Sequence, residues 1–126
     1  MSKTIINTSN APSAIGPYSQ AVLVNNTLYC SGQIAIDPAS GELVLDTIQA
    51  ETHRVMLNIA AILAEAKMHF SNVVKTSIFL SDMNNFAVVN AIYAEYFVQP
   101  YPARETVQVA KLPKGVNVEI SVTACV

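Results

Sequence analysis

The chain has 126 residues, 52% of them hydrophobic and 13% charged, with a formal net charge of −2. Ordinary soluble domains carry about 25% charged residues, so this length suits one domain, residues 1–126, with apolar surface left over for a second copy to cover. The acidic balance and the scattered Lys3, Lys67, Lys75, Lys111 and Lys114 exclude a basic nucleic-acid stripe, and the longest unbroken apolar run, Ile59–Ala64, is far below the ~20 residues of a membrane-spanning helix.

In chain order, Thr4–Thr8 reads as a short strand, followed by an irregular segment, Asn10–Gln20, in which Pro12, Gly16 and Pro17 oppose regular structure. Ala21–Val24 and Thr27–Ile34 read as strands joined at Asn25-Asn26, residues that accept the positive φ of a tight hairpin. Asp37–Gly41 is turn chemistry, leading to a short strand at Glu42–Leu45. A helix is expected from Asp46, which with Gln49 forms a capping-box pattern. Val55, Met56, Ile59, Ile62, Leu63 and Ala66 give it one apolar stripe, with Glu51, Arg54, Glu65 and Lys67 mostly off it. Val73–Leu80 alternates as a strand, and Asp82 caps a second helix with Phe86, Val89, Tyr93 and Tyr96 on one face. Gln99–Pro102 ends that helix. Two strands follow, Glu105–Ala110 and Val116–Val126, around a turn at Lys111–Gly115.

This order predicts an α+β chain with a mixed β-sheet. Right-handed crossovers put both helices on one face, leaving the other uncovered. In the last strand Val118, Ile120, Val122 and Ala124 are expected to face the helices, with Asn117, Glu119, Ser121 and Thr123 on the open face. Arg104, Thr106 and Gln108, alternating with Val107 and Val109, are expected on that open face too. A polar, uncovered sheet face is a natural place for subunits to meet around a shared cleft.

Cys30 and Cys125 are isolated thiols, and His53 and His69 stand alone, so no metal-ligand cluster is present in the sequence. The N-terminus lacks the basic, apolar and small-residue succession of a signal peptide, so a reducing cytoplasm is the expected location.

Four places carry chemistry. Arg104 is one of two arginines and sits where Pro102 ends irregular chain and a strand begins. Its guanidinium suits a small carboxylate, through two parallel hydrogen bonds, or an ion pair with Glu105. Glu119 lies in a β-branched strand, where a charge is costly unless paired or used; it is either a base that holds water or a solvent-facing or interface residue. Gly32, in Ser31-Gly32-Gln33, marks either close approach by a ligand or a sheet irregularity. Tyr18 is delivered by an irregular loop, for binding or for packing.

Together the motifs say more. Ile15-Gly16-Pro17-Tyr18-Ser19-Gln20-Ala21, Ser31-Gly32-Gln33-Ile34, Val74-Lys75-Thr76 and Pro102-Ala103-Arg104 occur in this order. Val107 through Gly115 and Val118-Glu119-Ile120 complete the set. The chain closely resembles, over essentially its whole length, the RidA (YjgF) family of enamine/imine deaminases. That resemblance implies a chorismate-mutase-like fold, a homotrimer with clefts between subunits, and cofactor-free hydrolysis of 2-aminoacrylate and related 2-imino acids to 2-keto acids and ammonia. By the same resemblance Arg104 binds the substrate carboxylate and Glu119 orients or activates water. Ser31, Gly32, Tyr18 and, on the second helix, Asn90 would line the cleft. Many close relatives have Cys where this chain has Thr106, which removes a thiol but keeps a hydrogen-bonding group for the substrate. Three other readings use parts of the same pattern: a non-enzymatic regulator or chaperone-like protein binding small carboxylates, a translation-inhibiting ribonuclease, and a chorismate mutase. The acidic balance opposes the ribonuclease, and two arginines are too few to neutralise a dicarboxylate.

Overall fold

The computed structural model describes residues 2–126. Six strands form one sheet: β1 (Thr4–Ile6), β2 (Ala21–Val24), β3 (Thr27–Cys30), β4 (Val73–Leu80), β5 (Ala103–Gln108) and β6 (Val118–Cys125), in the spatial order β1-β2-β3-β6-β4-β5. Only β4 and β5 pair in parallel; the other neighbours are antiparallel. Helices α1 (Ile48–Glu65) and α2 (Phe86–Ala94) supply the second layer. The fold is α+β, with a mixed sheet and both helices on one face.

The apolar stripe of α1 builds the core. Val55, Met56, Ile59 and Ile62 are fully buried against Leu28, Ile78, Leu80, Val118 and Ile120 of the sheet. Each such side chain stabilises the fold by roughly 1.5–3 kcal/mol. β6 alternates buried and half-buried residues along its whole length, so Val118, Ile120, Val122 and Ala124 face the helices as expected.

Local chemistry explains most boundaries and corrects several. Asn25 (φ 48°) and Asn26 (φ 66°) both adopt left-handed backbone, as the hairpin between β2 and β3 requires. The cap of α1 is Thr47, not Asp46: Thr47 is extended and its hydroxyl accepts from Ala50 N at 3.0 Å. The helix closes on a Schellman motif, with Lys67 N bonding Ala64 O and Met68 N bonding Leu63 O. Lys67 (φ 60°) takes the place where glycine is the usual signal. Asp82 caps a single 3₁₀ turn, Met83–Asn85, and α2 begins after it at Phe86. Tyr96 falls beyond the end of α2, where its hydroxyl meets His53 Nδ1 at 2.8 Å.

β3 stops at Cys30, four residues short of the expected end, because only Gln33 regains the ladder, exchanging backbone bonds with Ile120. The expected strand at Glu42–Leu45 is a lone bridge between Leu43 and Ile36. Glu51 is also reassigned. It is fully buried rather than off the apolar stripe, and both its carboxylate oxygens accept N–H bonds from Asn117 and Val118. A buried carboxylate is tolerable when donors satisfy it.

The largest correction concerns β5. Thr76 pairs with Arg104, Ile78 with Thr106 and Leu80 with Gln108. Paired residues in a sheet share a face, and Thr76, Ile78 and Leu80 face the helices. Arg104, Thr106 and Gln108 therefore lie on the helix side, and Glu105 and Val107 take the open face. Register with β4 sets this parity. Apolar alternation misleads here because β5 is an edge strand and the open face is itself partly apolar: Ile5, Tyr29 and Val107 are 50%, 56% and 42% exposed.

Candidate active site

The segment before β2 is irregular but tightly held. Gln20 is buried, and its side chain accepts from Thr8 N at 2.7 Å and donates to the carbonyls of Thr8, Ala11 and Pro12 at 2.8–3.3 Å. Ser31 ties down the other end, its hydroxyl donating to Ser19 O at 2.6 Å and its N–H to Gln20 O at 2.9 Å. Gly16 sits at φ 120°, a conformation L side chains rarely adopt, and turns the chain into Tyr18. The anchored loop thus displays Tyr18, 55% exposed, over a cleft of about 520 Å³ that also borders Ser31, Gly32, Gln33, Lys114 and Glu119.

Glu119 projects from the open face of β6, in register with Phe79 of β4. Its carboxyl group lies where a side chain on Gly32 would be, so Gly32 is glycine because of close approach rather than of backbone angle. Burial pushes the Glu119 carboxyl above the usual carboxylate range. Among the described residues the one ion pair is Lys75–Glu105, at 2.7 Å, so no cation offsets that burial. The result is a carboxylate with raised proton affinity, the property of a general base.

Arg104 belongs to a second cleft of about 460 Å³ between α2 and the start of β5, bordered by Asn90, Tyr93, Phe97, Tyr101 and Pro102. Its Nη1 donates to Asn90 Oδ1 at 2.7 Å, and its Cζ lies 5.0 Å from the Tyr93 ring centroid and 5.6 Å from that of Phe86. Tyr93 is itself fixed, its hydroxyl donating to Thr76 Oγ1 at 3.1 Å. Burial raises the Tyr93 pKa, opposed by the Thr76 hydrogen bond and the Arg104 charge, so the ring stays neutral beneath the guanidinium. Aromatic stacking and Asn90 hold the fork while committing one of its five donors. Thr106 follows on the same face but lines neither cleft, and its hydroxyl oxygen is buried without a hydrogen-bond partner.

The residues singled out in the sequence therefore form two groups. Arg104 and Asn90 meet at one cleft; Tyr18, Ser31, Gly32 and Glu119 meet at the other. β4 lies between β5 and β6, and Arg104 stands level with Val122, three residues along β6 from Glu119, so the two backbones are about 14 Å apart with the sheet itself between their side chains. One chain does not bring Arg104 and Glu119 together. Gln20 and Tyr93 are positioning residues that sequence reasoning left without a role. Gln20 sat within a quoted motif, whereas Tyr93 read only as one member of an apolar helix face.

The family model described as Endoribonuclease L-PSP matches residues 8–126. The 2-iminobutanoate/2-iminopropanoate deaminase of Bos taurus is 51% identical over 122 residues, covering 97% of this chain and 89% of the relative. Among solved structures, the Rid-family protein YyfA of Yersinia pestis superposes with a TM-score of 0.96 at 52% identity, covering 99% of this chain and 100% of that one. TdcF of E. coli, solved with bound serine, gives a TM-score of 0.93 at 38% identity, covering 98% of each chain.

Proposed function

The chain belongs to the YjgF/RidA family, and on that premise we propose that two of its subunits complete the site at which it hydrolyses 2-imino acids. The substrates are 2-iminopropionate, 2-iminobutyrate and the enamine 2-aminoacrylate; the products are 2-keto acids and ammonia. The observation that carries the two-subunit site is the placement of Arg104 and Glu119 on opposite faces of the sheet. The partly exposed Ile5, Tyr29 and Val107 on the open face support close association there. The assembly is a homotrimer with a chorismate-mutase-like arrangement, as in the family the chain resembles.

Arg104 receives the substrate carboxylate, with Asn90 holding its fork, and Glu119 of the adjoining subunit acts on water, with Tyr18 and the backbone at Ser31 and Gly32 closing the cleft. The serine bound to TdcF, which shares the α-carboxylate, supports such recognition. Glu119 takes a proton from water as the water oxygen bonds to C2, and the C=N pair moves to nitrogen. The proton then passes to nitrogen to give the carbinolamine, Glu119 relays the hydroxyl proton to the same nitrogen, and the C–N bond breaks as the carbonyl forms, releasing ammonia. An imine accepts water readily, so positioned proton transfer, worth about 10²–10⁴-fold, suffices without a covalent nucleophile or cofactor. Thr106, whose hydroxyl is buried and which borders neither cleft, is not assigned a contact with substrate. An acidic chain without a basic stripe favours this small-molecule chemistry over RNA cleavage.

Co-assembly tests the two-subunit site. Arg104→Ala and Glu119→Gln chains, each expected to be strongly impaired alone, are unfolded and refolded together, and the decay of 2-iminobutyrate generated enzymatically from threonine is followed at a low substrate concentration, where both defects show. Each mixed trimer regains one intact site, so about a quarter of wild-type activity is expected; no recovery in verified mixed trimers would refute the arrangement. Gly32→Ala gives an independent check. Its methyl group displaces the Glu119 carboxylate, a mobile side-chain end, rather than backbone. Turnover is expected to fall about ten- to a hundredfold, with the melting temperature little changed; wild-type turnover would count against the base assignment.

A further inference from the structure

Glu51 is the one fully buried acidic residue among the described residues, and the mechanism above does not use it. It lies in the first turn of α1 on the helix side of the sheet. Its Oε2 accepts from Asn117 N at 2.8 Å and from Val118 N at 3.0 Å, and its Oε1 accepts from Asn117 Nδ2 at 2.8 Å. An ionised carboxylate is acceptor-only, and all three facing groups are donors. The positive end of the helix dipole favours the same charge.

These bonds fall at the head of β6, immediately before Glu119. The same short segment is held from two other sides. Ser81, just past the end of β4, donates its N–H to Asn117 O at 3.1 Å and its hydroxyl to Asn117 Oδ1 at 3.3 Å. Gln33, next to Gly32, exchanges backbone bonds with Ile120 at 2.8 and 3.1 Å. Glu119 thus stands between two anchored neighbours, its carboxyl group in the gap that Gly32 leaves open. Reacting groups need placement within about 0.5 Å, and the start of an eight-residue strand beside a turn is where fraying would otherwise allow error.

We propose that Glu51 is a positioning residue for the deamination: it fixes the Asn117–Val118 backbone from behind the sheet and so sets where the Glu119 carboxylate meets substrate. This rests on the assignment of Glu119 as the base. Substrate capture by Arg104, supplied by the other subunit, is outside its reach. Glu51 therefore governs turnover and not substrate binding.

The test is a kinetic cycle on the full-length trimer with enzymatically generated 2-iminobutyrate. Glu51→Gln keeps the shape but turns an amide NH₂ toward N–H donors. Its kcat is expected to fall about ten- to a hundredfold with KM unchanged. The double variant Glu51→Gln/Glu119→Gln is expected to be no slower than Glu119→Gln alone, because both changes act through one group. A Glu51→Gln kcat within about twofold of wild type, or losses that multiply in the double variant, would overturn the proposal. If Glu51→Gln fails to assemble, Asn117→Ala beside Ser81→Ala decides, since the first removes the side-chain bonds to both Glu51 and Ser81 and the second only the bond to Ser81: a several-fold loss of kcat at constant KM in Asn117→Ala beyond that of Ser81→Ala is expected, and equal or unchanged kcat overturns the inference. Wild-type turnover in Glu119→Gln would remove the base assignment itself; an impaired Glu119→Gln beside an unimpaired Glu51→Gln removes only the present inference.

Discussion

Glu119→Gln is expected to lower kcat for 2-iminobutyrate by about 10²–10⁴-fold, the usual worth of positioned proton transfer, with fold and assembly unchanged from wild type. The amide fills the same space over Gly32 but takes no proton from water. A second signature follows from the raised pKa of the Glu119 carboxyl. As the proposed base, Glu119 works ionised, so wild-type turnover is expected to fall as pH drops through that raised pKa, and the residual rate of Glu119→Gln to lack this limb. Stability carries the opposite sign. With its folded pKa raised by burial, Glu119 contributes most below its unfolded value and loses that contribution as pH rises through the folded one. Near neutral pH, removing the charge therefore leaves the melting temperature unchanged or higher. A Glu119→Gln protein that turned over normally, or failed only because it unfolded, would defeat the assignment. Initial rates across pH, paired with thermal melts, distinguish these outcomes.

Arg104→Ala is expected to raise KM and reduce kcat/KM by about 10- to 150-fold, the equivalent of the ~1.5–3 kcal/mol in a hydrogen bond to a charged group. The guanidinium is exposed and rests on Tyr93 and Phe86 rather than in the core, so folding should be little affected. Arg104→Lys keeps the charge but loses the planar fork that Asn90 orients, and an intermediate kcat/KM is expected. Carboxylate selectivity is the sharper readout: wild type is expected to favour 2-imino acids over uncharged imines, and Arg104→Ala to lose that preference. Undiminished selectivity in an assembled Arg104→Ala protein would exclude Arg104 as the carboxylate's partner.

Legibility from sequence followed the range of the interactions concerned. The stripe of α1 was readable because Val55, Met56, Ile59 and Ile62 meet one surface at helical spacing, and the Asn25-Asn26 hairpin because its positive φ values depend on those two residues alone. The true cap of α1 was missed by one residue, since Asp46 and Thr47 are both competent and only backbone geometry chooses between them. Glu51 reads as a solvated helix charge because its partners, Asn117 and Val118, lie 66 and 67 residues away. Gly32 was noticed, but the carboxylate that occupies its missing side chain's place comes from another strand.

By itself the sequence determined the order of strands and helices apart from the strand expected at Glu42–Leu45, the buried side of β6, the absence of a basic stripe and the motif set that joins the chain to its family, all of which depend on residue type and local spacing. Tertiary structure alone decided the face on which Arg104 stands. A strand's alternation says which residues share a side but not which side it is. For an edge strand exposed at every position but Thr106, only the pairing of Thr76 with Arg104 resolves that choice. The same pairing puts Arg104 and Glu119 on opposite sides of one sheet, which is the geometric ground for proposing that the cleft expected between subunits draws one of these residues from each.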